Sequence, residues 1–262
     1  MIPYLELRTA ARSAGIPVST IERDYVQGWL LAGLSWDALV LKGGTAIRKA
    51  YIPDYRFSDD LDFTLTAPLG PDKIQPLVDA AVEHAKAGSG ILLDEAKPLK
   101  EVENGFVMAL RFKLRDSPYD SIRLKLDFTK SGNEPILMAP QDKPLLHRYN
   151  DNCTATIRTY SLVEMTAEKI RSFFQRTRAR DLHDVRYILG RKLVEETVLC
   201  DILGKKCRLK RVPVDIGRLR ARRTGYRDAW KASLAHQMNE VPDFDAVFDW
   251  VVAEVAGFEE CR

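Results

Sequence analysis

Long apolar runs are missing from this chain. No stretch of its 262 residues approaches the roughly 20 apolar residues of a membrane-spanning helix, so no membrane partner is expected. The start, Met1 followed by Ile-Pro-Tyr-Leu-Glu, lacks the basic residues and apolar core of a signal peptide, which points to the cytoplasm. Cysteine is scarce: Cys153, Cys200, Cys207 and Cys261 are scattered without a CxxC pair, the pattern of a reduced intracellular chain. A zinc site built from Cys200, Cys207 and His183 lacks the spacing of structural zinc and is not expected. A large net charge is also absent. With 40 basic and 37 acidic residues the balance is +3, so any polyanionic partner must be sought in the distribution of charge. What is present is 45% hydrophobic content, enough for one large domain or two modest ones.

Periodicity divides the chain. The segment from Tyr4 to Leu34 has helical rhythm, with Ser19 or Thr20 as a cap ahead of Ile21, Tyr25 and Trp29. Ala38 to Leu41 is a short buried strand that ends at Gly43-Gly44. A short helix follows over Thr45 to Tyr51, and a partner strand over Leu61 to Leu65. Pro71 opens an amphipathic helix that ends near Gly88. Strands are expected at Ile91 to Leu93, Phe106 to Leu114 and Ile122 to Phe128, the last two alternating cleanly, and at Ala155 to Thr159. The proline-rich stretch from Asn133 to Tyr149 is a connection. From Ser161 onward the pattern is helical. The expected fold is therefore α+β: a mixed sheet with N-terminal helices over residues 1–160, then a helical C-terminal domain over 161–262.

The chemistry is concentrated in the first half. Gly43-Gly44 stands between a strand and a helix, where free backbone N–H groups and the helix dipole favour an anion. Asp60 and Asp62 are two residues apart in an extended segment and share a face, while Leu61 and Phe63 point inward. Two such carboxylates suit a magnesium ion, which takes one or two carboxylates plus phosphate oxygens. A third carboxylate, Asp127, lies on the polar face of its strand with Lys125 and Arg123. It is either a surface partner of Lys125 or a general base or metal ligand beside Asp60 and Asp62.

The ordered motifs Gly-Gly-Thr-Ala, Phe-Ser-Asp-Asp-Leu-Asp-Phe, Lys-Leu-Asp-Phe, Ala167-Glu168-Lys169 and Arg180-Asp181-Leu182-His183-Asp184 resemble the AbiEii/AbiGii, or MenT-like, family of nucleotidyltransferase toxins over about residues 38–189. The resemblance implies a DNA-polymerase-β-like nucleotidyltransferase core whose active-site cleft is completed by the helical domain. Gly43, Gly44, Thr45 and Ser58 would line the triphosphate of a nucleoside triphosphate (NTP) donor, and Asp60, Asp62 and Asp127 would hold Mg2+. Lys169 would meet the nucleotide phosphates, and Asp181 with Asp184 would form the acidic motif opposite them. Arg56, the nearby base before the strand, is a further possible nucleotide contact. The family also implies transfer of a nucleoside monophosphate to the 3′ acceptor end of tRNA, a block of translation, a role in phage defence and a cognate antitoxin. In some relatives a serine at the position of Ser58 is a target of inactivating phosphorylation.

Two basic groups bear on the acceptor. Residues 205–223 hold nine basic side chains and one acidic, and a second set includes Arg171, Arg176, Arg178, Arg180, Arg186, Arg191 and Lys192. Both suit a phosphate backbone. The alternative is a solvated, partly ion-paired face, since Glu195 and Glu196 are near. Two other functions compete with the tRNA-modifying enzyme: nucleotide transfer to a protein or small-molecule hydroxyl, and an inactive nucleotide or nucleic-acid binding module.

Overall fold

The structure, a computed structural model, describes residues 2–94 and 96–261; Met1, read above as the start of a chain without a signal peptide, lies outside them. The chain divides after Tyr160 into two compact units, one built around a sheet and one wholly helical. Among the described residues no helix is long and apolar enough to cross a membrane.

The sheet unit opens with two helices, α1 (Tyr4–Ala14) and α2 (Val18–Gly33). The periodic segment is split because Gly15 adopts a left-handed conformation that ends α1, and Pro17 then stands at the N-cap of α2. Ser19 and Thr20 therefore fall inside the first turn of α2 and do not cap it. Strand β1 (Leu39–Lys42) runs into the single turn α3 (Gly43–Ala46), which continues as a π-helical turn over Ile47–Tyr51. Then come β2 (Leu61–Leu65), α4 (Pro71–Ser89), β3 (Leu92–Leu93), β4 (Lys100–Val102), β5 (Gly105–Lys113), β6 (Ile122–Thr129), β7 (Gln141–Pro144) and β8 (Thr156–Thr159).

The strands form one mixed sheet in the order β3-β5-β6-β2-β1-β8-β7, with β4 added to β5. β2 pairs with β6 in parallel and with β1 antiparallel, so β2 lies inside the sheet. Its apolar row, Leu41, Phe63 and Phe128 in register, is fully buried, and the Phe63 and Phe128 rings stack with centroids 5.2 Å apart. Sequence reasoning missed β4 and β7. Both carry exposed or half-exposed residues and no buried alternation, and β7 takes Pro144 because it is the edge strand, where a missing N–H breaks no internal ladder.

The helical unit contains α5 (Leu162–Ser172), α6 (Ala179–Gly190), α7 (Glu196–Lys210), α8 (Ile216–Ala221), α9 (Arg223–Leu234) and α10 (Phe244–Ala256). Ser161 caps α5 by accepting from the Glu164 N–H at 3.1 Å, and Asp243 caps α10 by accepting from the Ala246 N–H at 2.9 Å. Phe173, Tyr226 and Phe248 form a chain of ring contacts in its core, and all three are buried. Cys200 and Cys261 are joined by a disulfide, while Cys153 and Cys207 are free and buried. This corrects the reading of four reduced cysteines and removes Cys200 from any zinc site. The bonded residues are 61 apart in sequence, a separation that carries no spacing signal.

Candidate active site

In the sheet unit the strand register places Lys42, Asp62 and Asp127 side by side, on β1, β2 and β6 respectively. Directly opposed residues share a face, so the two carboxylates are neighbours, while the ammonium of Lys42 lies 5.8 Å from the centre of the Tyr160 ring. Asp62 is half-buried. Asp127 keeps 26% of its side chain exposed and pairs with Lys125 at 2.7 Å, the surface pairing that its strand position allowed. Such a half-exposed pair contributes at most about 1 kcal/mol and yields readily to a stronger ligand. Asp60 lies one residue ahead of β2, half-buried, and its carbonyl accepts the Thr45 hydroxyl at 2.5 Å. Thr45 is itself fully buried, so its hydroxyl ties the segment before the strand to the glycine turn.

That turn is built for close approach. Gly43 has φ +76°, and a Cβ there would lie 2.6 Å from Asp62 Oδ2. A Cβ on Gly44 would lie 2.9 Å from Arg56 Nη2 and 3.0 Å from Ser58 Oγ. The two glycines thus bring a carboxylate, a guanidinium and a hydroxyl against bare backbone, and Arg56 joins the set on geometry. The loop carrying Arg56 and Ser58 is held from α2, where Gln27 Nε2 donates to the Ser58 carbonyl at 3.0 Å. Behind the turn, the π-helical segment directs Arg48 and Lys49 together at Asp24 of α2, at 2.7 and 2.9 Å, and Tyr149 donates to the same carboxylate at 2.8 Å. Burial acts to raise the Asp24 pKa, but the two cations outweigh it and hold the group ionised. Arg48 also donates to the Tyr55 carbonyl, which links this buried ion cluster to the loop before Ser58.

In the helical unit, α5 and α6 bring Lys169, Asp181 and Asp184 together. Lys169 Nζ lies 2.8 Å from Asp181 Oδ1 and 2.7 Å from Asp184 Oδ2, with all three side chains at most 10% exposed. Ser172 Oγ adds a contact to Asp181 at 2.9 Å, and His183 Nδ1 lies 3.3 Å from Asp184. For Asp181, burial works upward and Lys169 works downward, with the net effect downward. The partner of Lys169 is therefore the α6 motif, and Glu164 and Glu168 are occupied elsewhere. They hold the buried Lys206 of α7 at 2.7 and 2.9 Å.

The same packing reinterprets the basic tract. Besides the buried Lys206, Arg218 and Arg222 donate to the carbonyls of Phe174 and Phe173 at 3.3 and 2.7 Å, and Arg223 bridges Asp245 and Asp249. These bases hold the helical unit together, whereas Arg208, Arg211 and Arg220 are exposed.

Among the described residues no group of three or more His, Cys, Asp or Glu side chains is gathered closely enough to hold a metal, so the fit for magnesium rests on Asp62 and Asp127. Their donor chemistry does fit: two adjacent hard-oxygen ligands, with glycine in place of a side chain beside Asp62 Oδ2.

Solved structures share this fold. The MenT4 nucleotidyltransferase toxin of Mycobacterium tuberculosis H37Rv matches with TM-score 0.67 and 17% identity, over 100% of this chain and 94% of that one. JHP933 from Helicobacter pylori matches with TM-score 0.61 and 18% identity, over 94% of each chain. A nucleotidyltransferase from H. pylori known from its crystal structure matches with TM-score 0.58 and 18% identity, over 92% of this chain and 95% of that one. The comparison with curated proteins found no match. The family model described as nucleotidyl transferase AbiEii toxin, type IV toxin–antitoxin system, matches residues 29–254, and the chain belongs to that family.

Proposed function

We propose that this chain is a magnesium-dependent enzyme that transfers a nucleoside monophosphate from an NTP to the 3′ acceptor end of tRNA in the cytoplasm, blocking translation unless its antitoxin restrains it. The observation that carries the reading is the in-register pairing of Asp62 with Asp127 beside the Gly43-Gly44 turn. Two like charges opposed on a sheet destabilise it unless a cation lies between them, so the pair favours a metal-bound state. When bound there by Asp62 and Asp127, with Asp60 near the strand entry, magnesium would neutralise phosphate charge and orient the leaving group.

The protein's own groups do the positioning. Gly43 and Gly44 admit the triphosphate to backbone N–H distance, Ser58 donates its hydroxyl, and Arg56 supplies a planar, permanently charged donor. Thr45 keeps the approach to Asp60 fixed. For Lys169, whose ammonium is held by Asp181 and Asp184, the family resemblance is what supports a contact with nucleotide phosphates. Exposed Arg208, Arg211 and Arg220 attract the RNA backbone without reading sequence, so modification weakens as salt rises.

The decisive experiment incubates the purified chain with magnesium, total tRNA and each labelled NTP in turn, beside Asp62→Asn. Label is expected at the tRNA 3′ end, reduced at least about 100-fold in the variant, as expected for loss of a metal ligand. No label in RNA from the wild type rejects the proposal; label on protein or a small molecule instead identifies a different acceptor. Charge reversal at Arg208, Arg211 and Arg220 is expected to weaken RNA modification more than nucleotide binding.

A further inference from the structure

A second nucleotide-like environment lies wholly within the helical unit. The C-terminal part of α6 and the start of α10 enclose a cleft of about 530 Å3, lined among others by His183, Arg186, Tyr187, Arg191 and Trp250. That volume is ordinary for a small-molecule site. Its walls alternate cation and ring. The Arg186 guanidinium lies 4.3 Å from the centre of the Trp250 ring, and that of Arg191 lies 4.1 Å from the centre of Tyr187 while also donating to the Tyr187 hydroxyl at 2.7 Å. Among the described residues neither guanidinium has a carboxylate within ion-pairing distance, in contrast to Arg223 and Arg227 of the same unit. The one lining carboxylate, Asp243, is committed to capping α10.

The arrangement is held in place by a glycine. A Cβ at Gly190 would lie 1.9 Å from Arg186 Nη1, so the guanidinium reaches its place over Trp250 because residue 190 has no side chain. A pair of uncompensated guanidinium groups fixed against aromatic faces recognises a ligand that is both planar and anionic. The geometry points to this cleft as a binding site for a nucleotide, whose phosphate pairs with Arg186 and Arg191 while its base stacks on the ring and guanidinium surface. All of its lining residues belong to the helical unit, and the site stands on its own chemistry. Its occupant is a nucleoside phosphate, either free or carried in a single RNA strand.

Photo-crosslinking to the full chain tests this, with 4-thiouridine monophosphate in one arm and a short single-stranded RNA carrying 4-thiouridine in the other. Crosslinks are expected on peptides containing Tyr187 or Trp250. They should fall at least about fivefold in Arg186→Ala combined with Arg191→Ala, and also in Gly190→Ala, where only the flexible end of Arg186 must move. Retained helicity and Tm certify that both variants are folded. Crosslinking by RNA alone assigns the cleft to a strand, and crosslinking by both probes assigns it to a nucleotide unit from either source. Absence of crosslinks from both peptides, or crosslinks undiminished in the folded variants, overturns the inference. Asp62→Asn separates it from the transfer reaction, because that variant should lose transfer and keep these crosslinks.

Discussion

In the sheet unit Asp62 and Asp127 stand side by side and half-exposed, whereas in the helical unit Asp181 and Asp184 are buried and share one ammonium. The first pair lies where a ligand can reach it, and Asp127 pairs there with the surface Lys125. The second is closed on itself and ties α5 to α6. Both are pairs of aspartates, yet one is open to solvent and the other encloses a buried ammonium. The difference lies in burial: desolvated carboxylates are tolerated only when paired, while half-exposed ones are also stabilised by water.

The largest effect expected to separate the two is on stability. Lys169→Met leaves two buried carboxylates without their cation and should cost about 3–5 kcal/mol, whereas Asp62→Asn should change stability by less than about 1 kcal/mol. Urea denaturation of both variants measures this, and equal losses would dissolve the contrast.

Acid should sharpen it next. Burial pushes the His147 imidazole in the sheet unit down to about 4, from an ordinary value of 6.5. As pH falls from 6.5 toward 4 the unfolded chain takes up this proton first, so stability declines through that window by on the order of 3 kcal/mol. Asp181 behaves differently: its pKa is held below the ordinary 3.8, so its contribution is present above that value and is lost only as pH drops through the lowered one. Hydrogen exchange between pH 6.5 and 4 should therefore show His147-dependent softening of the sheet unit, flattened in His147→Asn. A decline of the same shape in that variant would rule the histidine out.

The smallest expected change is at the turn. Gly43→Ala must hold a left-handed φ, at a cost of about 1–2 kcal/mol, and its Cβ would displace Asp62 Oδ2. Nucleotide transfer should fall by more than the small drop in Tm explains. Full activity in this variant would mean that the close approach of glycine to Asp62 is incidental.

Much of the fold could be read locally. The buried alternation of β5 and β6, the proline-opened α4 and the unbroken helical rhythm after Ser161 all follow from periodicity, which reports which face of an element is apolar. The strand positions of Asp62 and Asp127, and their placement on polar faces, came with it. The edge strands β4 and β7 did not, because a short strand with no buried face has no pattern to show. Arg56 was visible only as a neighbouring base until Gly44 was seen to bring it beside Ser58.

What the sequence determined by itself was a set of candidate groups: a glycine turn, carboxylates on strand faces, and a lysine and an acidic motif on helices. Only the tertiary structure decided who meets whom. It set Asp62 opposite Asp127, gave Lys169 to Asp181 and Asp184, gave Lys206 to Glu164 and Glu168, joined Cys200 to Cys261, and laid Arg186 on Trp250. The reason is physical: side-chain periodicity fixes the direction in which a group points, but long-range partners depend on register and packing, which no local pattern encodes.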